Sequence, residues 1–103
     1  CFERDFGIPV WLGHEGQTFE PPDGDHAAQW ETSVTLALDP DTVDMAAFPK
    51  PGAPNPPGVY GEPVSDVTPD LAEQNLRRAL DGLISKAQEL LYRRESVQKE
   101  YGH

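Results

Sequence analysis

The chain is poor in cysteine, in basic side chains and in apolar runs. Its one cysteine among 103 residues is Cys1, so no internal disulfide can form. Eight Lys and Arg stand against 18 Asp and Glu, for a net charge of −10. That balance excludes nucleic acid, whose phosphates need neutralising by Lys and Arg, and an anionic membrane surface. No apolar run is long enough to span a bilayer, and the N-terminus lacks the basic and apolar segments of a signal peptide. A soluble cytoplasmic protein is the expectation. There is no phosphate-binding glycine loop, no G-x-S-x-G elbow and no usable Ser/His/Asp order. Zinc patterns such as H-x-x-x-H, H-E-x-x-H or a cysteine pair are missing too. Only 37% of residues are hydrophobic and the mean hydropathy is −0.59, which limits the core of so small a chain. A partner subunit, or the rest of a longer chain, is the expected remedy.

Proline is abundant where the rest is scarce, and it organises the reading. Residues 5–12, Asp-Phe-Gly-Ile-Pro-Val-Trp-Leu, read as a short apolar strand in which Pro9 suits an edge. Residues 13–25 form a loop with turn chemistry at Pro21-Pro22-Asp23-Gly24. Residues 26–38 read as a helix in which Ala27, Ala28, Val34, Ala37 and Leu38 carry much of the apolar content, stopped by Pro40. Seven prolines keep residues 39–67 from forming a long helix or a central strand, and Val43, Met45, Phe48, Val59 and Tyr60 suit an extended cover over another surface. Residues 69–94 give the clearest helix. Thr68 can cap it, Pro69 fits its first position, and Asp70 and Glu73 complement its dipole. Leu76, Ala79, Leu80, Leu83, Ile84, Ala87, Leu90 and Leu91 follow helical spacing, which predicts one buried face. The charged end from Tyr92 to His103 is expected to fray or to dock on a neighbour.

Asp25-His26 is the main candidate for chemistry, at the junction of a turn-rich loop and a helix. A carboxylate beside an imidazole can orient the ring and favour its charged form, for proton donation or oxyanion stabilisation. The competing reading is an aspartate helix cap followed by a solvated histidine. Glu31, about 140° around the helix from His26, would support that helix start or a subunit contact. His14-Glu15 is a second acid/imidazole pair without metal-site spacing. Trp11 and Trp30 could wall a pocket for a small planar substrate, with core packing as the alternative. A first residue of Cys1 suggests processing of a precursor, because a thiol there can attack the preceding carbonyl; a simple protease nick is the alternative.

The run Asp25-His26-Ala27-Ala28-Gln29-Trp30-Glu31-Thr32-Ser33, continuing through Leu36-Ala37-Leu38-Asp39-Pro40, resembles the signature of the creatininase family. That signature is an acidic residue, then H-[AG]-G-x-x-E-T-S, then an apolar stretch ending near L-x-P. Asp41-Thr42-Val43-Asp44-Met45 continues in register, and Gly58-Val59-Tyr60-Gly61-Glu62-Pro63 resembles the family's G-V-x-G-[DE]-P ahead of its last helix. The resemblance covers most of residues 6–92. Ala28 departs from it by replacing a glycine, and Val67-Thr68-Pro69-Asp70-Leu71 matches the common A-T-x-E-K-G only loosely. Pro22 stands near the place where creatininase itself carries a tryptophan that closes over substrate.

The resemblance implies an α/β fold: the C-terminal part of a three-layer α/β/α sandwich, incomplete without an N-terminal chain. Two divalent ions, zinc and/or manganese, would be held mainly by that other chain, since the family's E-x-H…D and N-G-H-x-x-N motifs are both missing. It further implies hydrolysis of a C–N bond in a small or cyclic amide, with His26 stabilising or protonating the intermediate and leaving group and Asp25 as its relay. Composite protomers, each cut before Cys1, would assemble as a hexamer. Two alternatives remain: hydrolysis of a C–C or lactone bond of a cyclic polyol derivative, and a non-catalytic assembly subunit.

Overall fold

A computed structural model describes residues 1–19 and 22–102. Glu20, Pro21 and His103 lie outside it, including part of the turn expected at 21–24 and the terminal histidine. Three α-helices carry the structure: α1 (Phe2–Phe6), α2 (Gln29–Leu38) and α3 (Pro69–Tyr101). Four single-turn 3₁₀ segments punctuate the connections, at Glu15–Gln17, Pro40–Thr42, Met45–Ala47 and Val64–Asp66. At about 1.5 Å per residue, α3 is roughly 50 Å long. It sets the long axis of a body measuring 58 × 25 × 25 Å. The radius of gyration of 17.9 Å exceeds the roughly 13 Å of a compact chain this size.

The α/β expectation is wrong. Among the described residues there is no strand and no sheet, and the single β-bridge joins His26 to Tyr60. The segment expected as a strand over 5–12 begins inside α1, which Gly7 ends at φ 66° in the left-handed region that glycine tolerates. Ile8, Val10 and Leu12 then run on without strand pairing. A strand needs a neighbouring ladder to satisfy its backbone, and no described segment offers one. No three-layer sandwich can be built from these elements.

α3 starts as its sequence suggests: the Thr68 hydroxyl accepts from the Leu71 N–H at 3.1 Å, and Pro69 occupies the first turn. It runs to Tyr101, beyond residue 94, and stops at Gly102 with φ 77°. The charged tail therefore stays helical. Glu3 on α1 meets Arg93 at 3.7 Å, and Val97 is buried.

α2 begins three residues later than expected, because Ala27 adopts φ 55° and turns the chain before the helix can start. The core lies where α2 crosses the first half of α3. Leu36, Val64, Val67 and Ala72 form its centre, with Ala37, Val43, Phe48 and Val59 packed against it. The proline-rich segment thus supplies part of the core. Where α2 crosses it, the buried face of α3 consists of small residues, Ala72, Asn75, Ala79 and Gly82, with Val97 buried further along. Its large apolar residues Leu80, Leu83, Ile84 and Leu91 remain exposed. The single buried face expected from the spacing is therefore split into a covered half and an uncovered half.

No helix among the described residues is long and apolar enough to cross a membrane.

Candidate active site

The two segments that resemble family motifs are 34 residues apart at His26 and Tyr60, and the fold joins them. The His26 N–H donates to the Tyr60 carbonyl at 2.9 Å, and the Tyr60 N–H returns the bond to the His26 carbonyl at 2.9 Å. Gln29 N–H donates to the Glu62 carbonyl at 3.3 Å. At Gly61 (φ 144°), a Cβ would lie 2.6 Å from Asp25 Cβ and 3.0 Å from Ala28 Cβ, so only glycine allows this approach.

The Asp25 carboxylate faces the start of α2. Oδ2 accepts from Trp30 N–H at 2.6 Å and Oδ1 from Glu31 N–H at 3.0 Å. These donors have no partner within the helix, and a carboxylate there also complements the helix dipole. Glu31 reaches back so that Oε2 accepts from Ala27 N–H at 2.6 Å, which holds the left-handed turn. Thr32 Oγ1 donates to the Ala27 carbonyl at 3.1 Å. Glu31 thus supports the helix start directly. Asp25 does so as well, rather than engaging the neighbouring imidazole. His26 itself is exposed, with its ring 6.3 Å from the Tyr60 ring.

An open cleft of about 530 Å³ lies beside this turn, lined by His14, Glu15, Asp23, Asp25, Trp30 and Glu31 among others. Its carboxylates have internal partners. Glu15 Oε1 accepts from the Trp30 indole N–H at 3.1 Å. Asp23 accepts from Gly24 N–H at 2.8 Å and lies 3.4 Å from Arg78. His14 Nδ1 accepts from Gly16 N–H at 3.2 Å, which closes a capping box with Gln17.

The tryptophans fall in different places. Trp30 is 2% exposed and forms the hub between loop and helix, with Phe19 at 5.5 Å and the Arg78 guanidinium 5.4 Å above its ring. It borders the cleft but serves mainly as core. Trp11 packs under Lys86 of α3, whose Nζ lies 5.6 Å from the ring. Cys1 is an exposed free thiol, and its amino group lies 3.6 Å from Asp5.

Asn55 and Arg78 had no role assigned from sequence, and Tyr60 was expected only as part of the cover and of the second motif. Asn55 ties the second motif together: Nδ2 donates to the carbonyls of Gly61 at 3.0 Å and Glu62 at 3.3 Å, and Oδ1 accepts from Val64 N–H at 2.8 Å. Its place between Pro54 and Pro56 was the available signal, since a lone amide among prolines must satisfy backbone that they cannot. Tyr60 supplies the bridge to His26. Arg78 lies over both Phe19 and Trp30, at 4.4 Å from the Phe19 ring.

The resemblance places the divalent ions mainly on another chain, and the described residues add no cluster of ligands to that expectation. No group of three or more His, Cys, Asp or Glu among them could hold a metal ion. The carboxylates of Asp25 and Glu31 accept from backbone N–H groups at the start of α2. The chain matches no family model, and no curated protein or solved structure is significantly similar to it.

Proposed function

We propose that this chain is the smaller, acid-bearing part of a creatininase-like hydrolase that opens C–N bonds in small or cyclic amides. The observation that carries the reading is the paired bridge between His26 and Tyr60. It draws both family-like segments into one cluster and fixes the backbone that presents an exposed imidazole. The reading rests on that cluster and not on the sandwich fold, which these residues do not form.

In this reading His26 works as the proton donor. As water adds to the amide carbonyl, the ring's N–H stabilises the developing oxyanion and then passes its proton to the departing nitrogen. The C–N bond breaks, and the proton that the ring has lost is restored from the attacking water. Asp25 acts as a positioning residue. Its carboxylate fixes the helix start that aims the His26 backbone. No step is assigned to a metal on this chain. The two divalent ions would belong to the N-terminal counterpart, in a composite assembly.

A second reading, a non-catalytic assembly subunit, has its own support. The carboxylates of Asp25 and Glu31 are engaged in holding the helix start, and α3 presents uncovered leucines. Product analysis separates the two. The chain, assembled with its metal-bearing counterpart, is incubated with a panel of lactams and cyclic ureides, and mass spectrometry follows the ring-opened carboxylate. Opened amides support the hydrolase. Opening of lactones alone moves the activity to the C–O class. Absence of turnover on every ring leaves the assembly subunit.

A further inference from the structure

α3 is apolar over more of its circumference than its own chain covers. At about 100° per residue, the small-residue face of Ala72, Asn75, Ala79 and Gly82 lies roughly a quarter turn from a second stripe. That stripe runs through Leu80, Leu83, Ile84 and Leu91, which are exposed, and through Leu76 and Leu90, which are half-buried. Leu80 is 48% exposed, Leu83 40%, Ile84 56% and Leu91 70%. Leu76, Leu80, Leu83 and Leu90, with Ala87 between, are spaced by four and three residues, the repeat with which two helices interlock side chains. We infer that this stripe is a dimerisation surface, and that its occupant is the same stripe of a second copy.

Three features favour a second copy. The first is area. From Leu76 to Leu91 the stripe rises about 24 Å on a helix about 11 Å wide, a projected face of roughly 260 Å² per copy. Two copies together bury at least about 500 Å², and more where side chains interlock, which is the size of a weak, reversible contact. The second is charge. Residues 1–68 hold 12 acidic and 2 basic side chains, which is the whole net charge of −10. Residues 69–102 hold six of each, so α3 is the long element on which another −10 body meets no net like charge. The third is self-complementarity. A two-fold interface needs one patch that matches itself, and an apolar repeat along a single helix can do so. The inference is independent of the catalytic reading.

Sedimentation velocity of the purified chain tests it, from a few micromolar to about 200 µM, the range set by so small an interface. The expected result is a concentration-dependent monomer–dimer equilibrium with micromolar Kd. Leu83→Glu should shift that equilibrium at least about tenfold toward monomer. Because Leu83 is exposed in the single chain, the variant should keep the wild-type far-UV circular dichroism. If it does not, Ile84→Lys on the same stripe serves in its place. A wild-type chain that stays monomeric at the top concentration overturns the proposal. So does a dimer that both stripe variants leave unchanged, because its interface would then lie elsewhere.

Discussion

Gly82→Ala should destabilise the chain, although helix propensity alone favours it. Gly82 sits inside α3, where alanine is preferred over glycine by about 1 kcal/mol at an exposed site. Here α3 passes close over the loop. A Cβ on Gly82 would overlap Thr18 Oγ1 and lie 2.8 Å from Thr18 Cβ and 3.3 Å from Phe19 Cδ1. Thr18 cannot simply rotate away, because its hydroxyl donates to the Glu15 carbonyl at 2.8 Å. Overpacking of this kind costs about 1–3 kcal/mol, and losing the hydroxyl bond adds about 1 kcal/mol. Against the propensity gain, the net expectation is a loss of about 1–3 kcal/mol. That corresponds to a fall in Tm of at least roughly 4 °C for a chain of this size. Thermal melts by circular dichroism, repeated in the Thr18→Ala background where the nearest clashing atom is gone, give the measurement. The loss should shrink in the double variant. A Tm that rises in Gly82→Ala would show that α3 does not approach the loop, and the packing described for Trp30 and Phe19 would fall with it.

Two further substitutions probe the motif cluster. Asp25→Ala strips two N–H groups at the start of α2 of their acceptor and should cost about 1–2 kcal/mol, read from urea unfolding, whereas an equal midpoint would place the cap elsewhere. Asn55→Ala frees the part-buried Val64 N–H and two carbonyls, so a loss of about 1–3 kcal/mol is expected, with faster amide exchange at Val64; unchanged exchange would contradict the staple.

Local chemistry was legible in the sequence, and pairing at a distance was not. Thr68 and Pro69 mark the start of α3 because a cap is decided within four residues. The end of α3 was placed too early because the charges after Tyr92 read as fraying or as docking on a neighbour, while Glu3 from the far end of the chain meets Arg93 at 3.7 Å and Val97 is buried. Asp5 to Leu12 carries strand-like residues, but a strand exists only with a partner, and the sequence cannot supply one. On α3, periodicity revealed the apolar arc. It could not tell that the Ala and Gly half would be covered and the Leu half left open. At the site, the adjacency of Asp25 and His26 suggested a working pair. The left-handed Ala27 instead sends the carboxylate to the helix N–H groups and leaves the imidazole outside. The bond between His26 and Tyr60 depends on Asn55 and Gly61 shaping a loop far along the chain, which no dipeptide encodes.

The role of His26 is the centre of the account, and steady-state kinetics of its alanine variant tests it most directly. With the chain in its assembly and a cyclic amide that the wild type opens, His26→Ala should lower kcat by about 10²–10⁴-fold while substrate binding and the circular dichroism stay as they were. A variant that turns over at the wild-type rate would contradict the account.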